Sequence, residues 1–373
     1  MSAGSSDPAE FRCADCAAPH PAQTREFACP HCGGPFEFGP PQPFERGQVD
    51  RDEPSLWRYR AALPVTDTPT RLSMGEGLTP LVQTRLWGRS VLTKLDFLMP
   101  SGSYKDRGSV VMVAYLTRQG VSQVVEDSSG NAGASLAAYA ARADLGCTVY
   151  VPAGTARGKL AQIEAHGSRV VEVPGTRQDV ADAAVRAAQE TFYASHNRHP
   201  AFVEGVKTWA LEVWERLGWQ APDSVVVPLG YGSTLLGAAR AFESLRLAGE
   251  IDRVPRLHVA QAANCRPVDA AFRGEPWSPA DQRPTVAAGI ASSKPIRLAE
   301  ILRAVRKSGG STEAVPEEEI APARTELAAR GLFVEPTSAV AAAAYRRLLD
   351  RGAIHPDECC VLLLSGSGLK TGA

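Results

Sequence analysis

The strongest constraint on this chain is an alternation that runs through most of its length. Short β-branched and apolar runs fit for buried strands recur at 90–95, 122–126, 147–151, 169–173, 224–229, 256–261 and 359–364. Between them lie alanine-rich stretches with apolar residues at helical spacing, at 132–143, 158–166, 177–194, 205–216, 233–248 and 338–350. A strand–helix alternation of this kind predicts an α/β fold of mostly parallel sheets covered by helices on both faces, with ligands bound at the carboxyl ends of the strands. With 373 residues, 44% hydrophobic and 22% charged, the chain has enough apolar surface for a sizeable core and enough length for two or three domains.

The charge balance narrows the partners. Forty basic residues against 41 acidic ones leave a net charge of -1, so no overall field draws in nucleic acid or an anionic membrane, and a small molecule is the expected partner. No run of 18 apolar residues is present, and the opening MSAGSSDPAE lacks the basic and apolar regions of a secretion signal. A soluble, cytoplasmic protein is expected.

Cys13, Cys16, Cys29 and Cys32 form CxxC-x12-CxxC within the first forty residues. That spacing brings four thiolates together as two knuckles around a tetrahedral zinc, which would be structural because no coordination position is left open. Two disulfides are the other reading, disfavoured in a reducing compartment. His20 and His31 are nearby, but four cysteines already close the shell. Cys147, Cys265, Cys359 and Cys360 fall in apolar contexts and read as small buried hydrophobes. From Gly39 the chain turns proline-rich and charged, which suggests a linker or surface wrap.

Three loops carry candidate chemistry. Residues 101–108, SGSYKDRG, put Lys105 at the mouth of an apolar helix expected over 109–119. A lysine fixed and partly desolvated in this way can lose its proton near neutral pH and attack a carbonyl, although a solvated lysine in a KDR cluster fits the same letters. Residues 127–133, DSSGNAG, follow one strand and open a helix. Their backbone amides would face an anion such as a substrate carboxylate, and a serine N-cap with a glycine turn fits equally well. Residues 230–237, GYGSTLLG, follow VVVPL and open a long helix, where glycines let the backbone approach a phosphate and Ser233 and Thr234 add hydroxyls. The spacing is not GxGxxG, and GxxxxGK[ST] is absent, which argues against dinucleotide and P-loop sites.

Seven stretches in order, GEGLTPL (75–81), SGSYKDRG, DSSGNAG, EGVKT (204–208), GYGSTLLG, FVEPTSA (333–339) and LLSGSGLK (363–370), resemble the threonine synthase family. More broadly they resemble the pyridoxal-phosphate enzymes of the tryptophan-synthase β-subunit fold, fold type II. The likeness covers about residues 75–370, and the four-cysteine ribbon adds to it. It implies a zinc ribbon at 1–40, a linker at 41–75, a large cofactor-binding domain from 76–104 and 186–373, and a small domain at 105–185.

Carried over residue by residue, the resemblance makes Lys105 the Schiff-base lysine and Asn131 the partner of the cofactor's 3-hydroxyl. Gly230, Tyr231, Gly232, Ser233 and Thr234 would surround its phosphate, and Ser365 would meet the pyridine nitrogen. A neutral serine there makes the ring a weaker electron sink than an aspartate would, suited to elimination and replacement rather than transamination. Ser128, Ser129 and Gly130 would receive the substrate carboxylate. Glu335 reads either as a functional carboxylate or as an acidic residue capping the helix that Pro336 opens. The family also implies an amino-acid substrate and a homodimer.

The likeness departs at HNRHPAFVEGVKT, where Phe202 stands at the position expected for an arginine that grips the phosphate of O-phosphohomoserine. Losing such a fork forfeits about 1.5–3 kcal/mol per charge-assisted hydrogen bond, so a poor response to O-phosphohomoserine is expected unless Arg198, His196 or His199 compensates. The readings are therefore a threonine synthase-like lyase, a β-replacement enzyme similar to cysteate synthase that uses O-phosphoserine and sulfite, a threonine or serine dehydratase, and a non-catalytic binding protein on the same fold.

Overall fold

A computed structural model describes residues 10–66 and 72–370. The first nine residues of the expected ribbon, residues 67–71 of the linker expected at 41–75 and the last three residues lie outside the described residues. The chain falls into two compact units, the first made of Met1–Pro40, Gln48–Glu76 and Lys105–Val206, the second of Pro41–Gly47, Gly77–Tyr104 and Lys207–Ala373.

The first unit holds a four-stranded parallel sheet in the order Arg169–Val173, Gly146–Pro152, Gln123–Glu126, Phe192–Tyr193. Ala134 and Ala137 of the helix Asn131–Arg142 pack with Val149, Val151, Leu160 and Ile163. Alanine suits this position twice, being the best helix former and small enough for the helix to lie close on the sheet. The helix Lys105–Arg118 is buried on every side from Asp106 to Leu116, so it is a core helix and not one with a single apolar face.

Two features set this unit's limits differently from the sequence expectation. The expected helix at 177–194 ends at Ala187, and Phe192–Tyr193 pairs with Gln123–Glu126 as an edge strand. The helix Pro200–Val206 then packs on Lys105–Arg118, so the boundary falls at 206 and not at 185. The cysteine ribbon belongs to the same unit. Its sheet, in the order Pro19–Pro21, Glu10–Cys13, Phe36–Glu37, is antiparallel. Phe11 sets its ring 6.2 Å from that of Tyr115, whose hydroxyl donates to the Ala22 carbonyl at 3.0 Å. Part of the expected linker is also core. Glu76 accepts from Trp57 Nε1 at 3.0 Å, Ser73 Oγ at 3.0 Å, the Met74 N–H at 2.8 Å and Tyr139 Oη at 3.1 Å.

The second unit is built on a six-stranded sheet in the order Thr312–Val315, Arg256–Ala262, Ser224–Pro228, Cys360–Leu363, Arg89–Lys94, Leu81–Leu86. All neighbours are parallel except the last pair. Its central strands, SVVVP and CVLL, are buried at every residue, the pattern of a parallel strand covered on both faces. Pro41–Gly47 is fixed here by the Phe44 N–H donating to the Ser244 carbonyl at 3.2 Å and by Arg46 pairing with Glu250 at 2.8 Å. A fully buried ion pair joins Lys94 to Glu212 at 2.5 Å. Lys94 Nζ also donates to the Thr79 carbonyl at 2.6 Å, and Glu212 accepts the Leu78 N–H at 2.9 Å, so the pair pins the 75–81 turn. No helix among the described residues is long and apolar enough to cross a membrane.

Candidate active site

In the first unit Lys105 is the first residue of its helix rather than a residue ahead of it, and it is half-buried. Its Nζ lies 5.5 Å from the centre of the Phe202 ring. Two glycines make this arrangement possible. A Cβ at Gly108 would come 2.6 Å from the Phe202 ring, and one at Gly205 would come 2.1 Å from the Arg107 carbonyl oxygen. Both spacings are prohibitive, so the glycines of SGSYKDRG and EGVKT are there to let two helices touch.

Beyond the Gln123–Glu126 strand, Asp127, Ser128 and Ser129 lead to the helix that Asn131 opens. Gly130, at the N-cap, has no side chain with which to bond the helix's first N–H groups. A Cβ at Gly133 would fall 1.9 Å from the Ser128 carbonyl oxygen, which fixes glycine at that turn. Asp127 holds Arg177 through Oδ2 at 2.6 Å, while its buried Oδ1 has no hydrogen-bond partner among the described residues.

Sequence reasoning missed a buried pair next to this loop. Glu126 Oε1 lies 3.0 Å from His196 Nδ1, and Oε2 accepts the His196 N–H at 3.3 Å. Burial, reinforced by the adjacent Asp127 charge, raises the Glu126 carboxyl well above its ordinary range. Burial also pushes His196 well down, aided by the positive charges of Lys105 and Arg177. Both shifts favour the neutral forms. The only available signal was a carboxylate that follows two valines at the end of a strand.

This placement changes the reading of the HNRH stretch. His196 is engaged with Glu126, and burial disfavours its charged form, so it is poorly suited to bind a phosphate. His199 accepts the Ala201 N–H on Nδ1 at 3.3 Å and sets its ring 5.5 Å from that of Tyr115. The Arg198 guanidinium lies 5.5 Å from the Phe27 ring centre. Phe202 itself is fully buried against Gly108 and is a packing residue of the helix pair. Position 202 thus supplies no cation for a phosphate, as the sequence implied.

In the second unit the Ser224–Pro228 strand runs through Gly230 to Gly232 into the helix Ser233–Leu247. Gly232 has a left-handed backbone, φ 92°, and caps the helix without a side-chain bond. A Cβ there would meet Ile301 at 2.6 Å, and one at Gly230 would lie 3.1 Å from Ile290 Cα. Ser233 Oγ lies 3.0 Å from Tyr104 Oη. The Thr234 hydroxyl donates to the Pro228 carbonyl at 3.3 Å, which leaves the Thr234 amide, not its hydroxyl proton, as a donor for a ligand.

Ser365 follows the Cys360–Leu363 strand and is buried, with Oγ 3.2 Å from Ser338 Oγ. Its carbonyl accepts the N–H of Tyr104, the residue before Lys105, at 2.9 Å. Glu335 caps the helix Pro336–Asp350 but makes no side-chain cap bond, and Gly366 lies under its carboxylate, where a Cβ would come within 2.2 Å.

The four ribbon cysteines converge as well. Cys13, Cys16, Cys29 and Cys32 have all their sulfurs within 4.8 Å of one another. The knuckles close through the Ala17 N–H to the Cys13 carbonyl at 2.9 Å and the Gly33 N–H to the Cys29 carbonyl at 2.7 Å. A Cβ at Gly34 would stand 2.9 Å from the Cys13 sulfur.

A lysine at a helix start, glycine-lined helix N-termini after parallel strands and a buried serine at a strand end are the parts from which an enzyme of the pyridoxal-phosphate class is built. The chain belongs to the pyridoxal-phosphate dependent enzyme family, whose pattern matches residues 72–366. Within that family it is threonine synthase-like. It is 35% identical to the threonine synthase of Methanocaldococcus jannaschii over 96% of this chain and 92% of that protein. It is also 35% identical to the threonine synthase of Mycobacterium bovis, over 84% and 87%. The fold is shared with a threonine deaminase isoform from Solanum lycopersicum, with a TM-score of 0.68 at 19% identity over 88% of this chain and 86% of that one. It is shared too with the serine racemase of Dictyostelium discoideum, with a TM-score of 0.65 at 22% identity over 78% and 92%. The protein is thus a pyridoxal-phosphate-dependent, threonine synthase-like lyase of amino-acid metabolism.

Proposed function

We propose that the protein forms threonine and inorganic phosphate from O-phosphohomoserine and water. The observation that carries this reading is the likeness to threonine synthases along 96% of the chain. The one residue-level observation against it is that position 202 carries a buried phenylalanine and no arginine.

The residues fit pyridoxal phosphate. A helix N-terminus capped by a left-handed glycine, with little room for a Cβ at Gly230 and an Ile301 side chain against one at Gly232, suits a phosphate dianion approached by backbone N–H groups. Gly230, Tyr231, Gly232, Ser233 and Thr234 would hold the phosphate, Asn131 the 3-hydroxyl and Ser365 the ring nitrogen. When bound, the cofactor supplies an electron sink that acidifies the carbon positions next to the substrate's amino group. Lys105 would anchor the cofactor. Once the substrate amine takes its place, Lys105 is the base that moves protons at the neighbouring carbons. Ser128, Ser129 and Gly130 would receive the substrate carboxylate on the Asn131 helix N-terminus. The neutral state of Glu126 and His196 leaves Lys105 without a competing anion from that pair.

The four cysteines suit a structural zinc, since a tetrahedral site with Zn–S of about 2.3 Å spaces its sulfurs by about 3.8 Å. The unit that includes Lys105–Val206 would then be the small domain, and the unit that includes Gly77–Tyr104 and Lys207–Ala373 the large one, expected of the fold. A homodimer in the cytoplasm completes the proposal. Incubation with O-phosphohomoserine, with O-phosphoserine plus sulfite, and with threonine alone tests the substrate. Equal yields of threonine and phosphate from the first are expected. Turnover of only the second or third would replace this reading by sulfite addition or dehydration.

A further inference from the structure

Ser338, from the FVEPTSA stretch, has a hydrogen-bond environment that fixes a direction. Its Oγ accepts the Ser365 N–H at 2.9 Å and the Gly366 N–H at 3.2 Å, which uses both lone pairs of the hydroxyl. One proton is left to donate. Two acceptors are near it, Ser365 Oγ at 3.2 Å and the Gly366 carbonyl at 3.5 Å. The carbonyl is the more distant and already accepts the Glu335 N–H at 3.0 Å, so Ser365 Oγ receives the proton. Ser365 cannot donate back, because Ser338 has no lone pair to offer. Its own O–H must therefore point away from Ser338. Both serines are essentially inaccessible to water, at 0% and 1% exposure, so solvent does not scramble this order.

We infer that Ser338 is a positioning residue which orients the Ser365 hydroxyl as an outward donor and thereby keeps the cofactor's ring nitrogen unprotonated. The inference rests on the proposal that Ser365 meets that nitrogen. An unprotonated pyridine nitrogen is an acceptor and takes the Ser365 proton. A protonated one would have to donate to Ser365, leaving the hydroxyl proton buried with no acceptor, and an unsatisfied buried donor is costly. The chain thus achieves with two neutral hydroxyls a polarity that a lone serine, free to turn its hydroxyl either way, would not enforce. The consequence is a permanently weak electron sink, suited to loss of a leaving group and replacement.

The test uses holoenzyme reconstituted with pyridoxal phosphate carrying 15N in its ring, read by NMR across the pH range in which the protein stays folded. The wild-type resonance should keep its unprotonated position. Ser338→Ala should admit a proton with a midpoint about one to two pH units higher, the shift equivalent to relieving one unsatisfied buried donor. Ser338→Thr, which keeps the hydroxyl, should follow the wild type. If the alanine variant does not fold, Ser338→Cys replaces it, since its weaker thiol donor should give a smaller rise in the same direction. A resonance unmoved by Ser338→Ala or Ser338→Cys but moved by Ser365→Ala overturns the inference and leaves the cofactor assignment standing. A resonance indifferent to Ser365→Ala overturns the assignment of Ser365 itself.

Discussion

Replacing Glu126 by glutamine tests whether the pair beside Lys105 is neutral. The carboxyl is fully buried and its pKa is raised by burial and by Asp127 above the ordinary value of 4.5, so the folded protein keeps a proton that the unfolded chain releases above that pH. A group of this kind gives its full stabilisation below pH 4.5 and loses it as the pH rises toward the folded-state value. The loss amounts to about 1.4 kcal/mol per pH unit for one proton. His196 behaves oppositely. Its pKa is depressed below 6.5, so its stabilisation is present above that pH and is lost as the pH falls. Between the two ordinary values the effects cancel. The amide of Glu126→Gln has no proton to lose, and His196 contributes to both proteins alike. The variant's stability relative to wild type should therefore climb by about 1.4 kcal/mol per pH unit above 4.5, for as long as the wild-type carboxyl stays protonated. Parallel urea unfolding of the two holoproteins at half-unit pH steps gives this difference from the midpoints and slopes. A difference independent of pH above 4.5 would mean that Glu126 is ionised in the folded protein, and would refute the neutral carboxyl.

Two further predictions concern stability. Glu212→Gln should cost about 3–5 kcal/mol, because it leaves the Lys94 ammonium buried without its carboxylate, whereas Lys94→Met combined with Glu212→Leu should recover much of that loss in the same urea assay. A single-variant loss below about 1 kcal/mol would show that the pair is not needed to hold the 75–81 turn. Metal analysis should find one zinc per chain, absent in Cys13→Ser. Zinc of this kind contributes about 10–16 kcal/mol of apparent binding energy, so the variant should lose hydrogen-exchange protection over the ribbon while still binding cofactor. Zinc retained by the variant would exclude the four-cysteine site.

Much of the sheet framework was legible because it is made of buried parallel strands, whose apolar runs are nearly continuous. Arg169–Val173 is read to the residue, and the limits of the strands beginning at Ser224 and Arg256 differ by one residue. What escaped notice lies at the edges. Leu81–Leu86 pairs on one side only and exposes alternate residues, and Thr312–Val315 is a four-residue edge strand carrying a glutamate. The helix Leu298–Lys307 buries only Ile301 and Val305 among charged neighbours, so its apolar signal is thin. The expected single helix at 205–216 is two helices, Pro200–Val206 and Thr208–Arg216, one in each unit. Of the site, the glycines were legible as special positions, but not what they accommodate. Gly108 and Gly205 serve helix contact, and Gly230 and Gly232 serve the second unit's helix N-terminus. The Glu126–His196 and Ser338–Ser365 pairs join residues 70 and 27 apart in sequence, and no local pattern announces either.

The central claim, that Lys105 carries the cofactor, is tested most directly by reducing the native protein with borohydride and mapping the modified peptide. A fixed pyridoxyl group on Lys105 alone, with a yellow protein before reduction and neither colour nor adduct in Lys105→Ala, is the predicted result. An adduct on another lysine, or a colourless wild-type protein that takes up no pyridoxal phosphate, would contradict it.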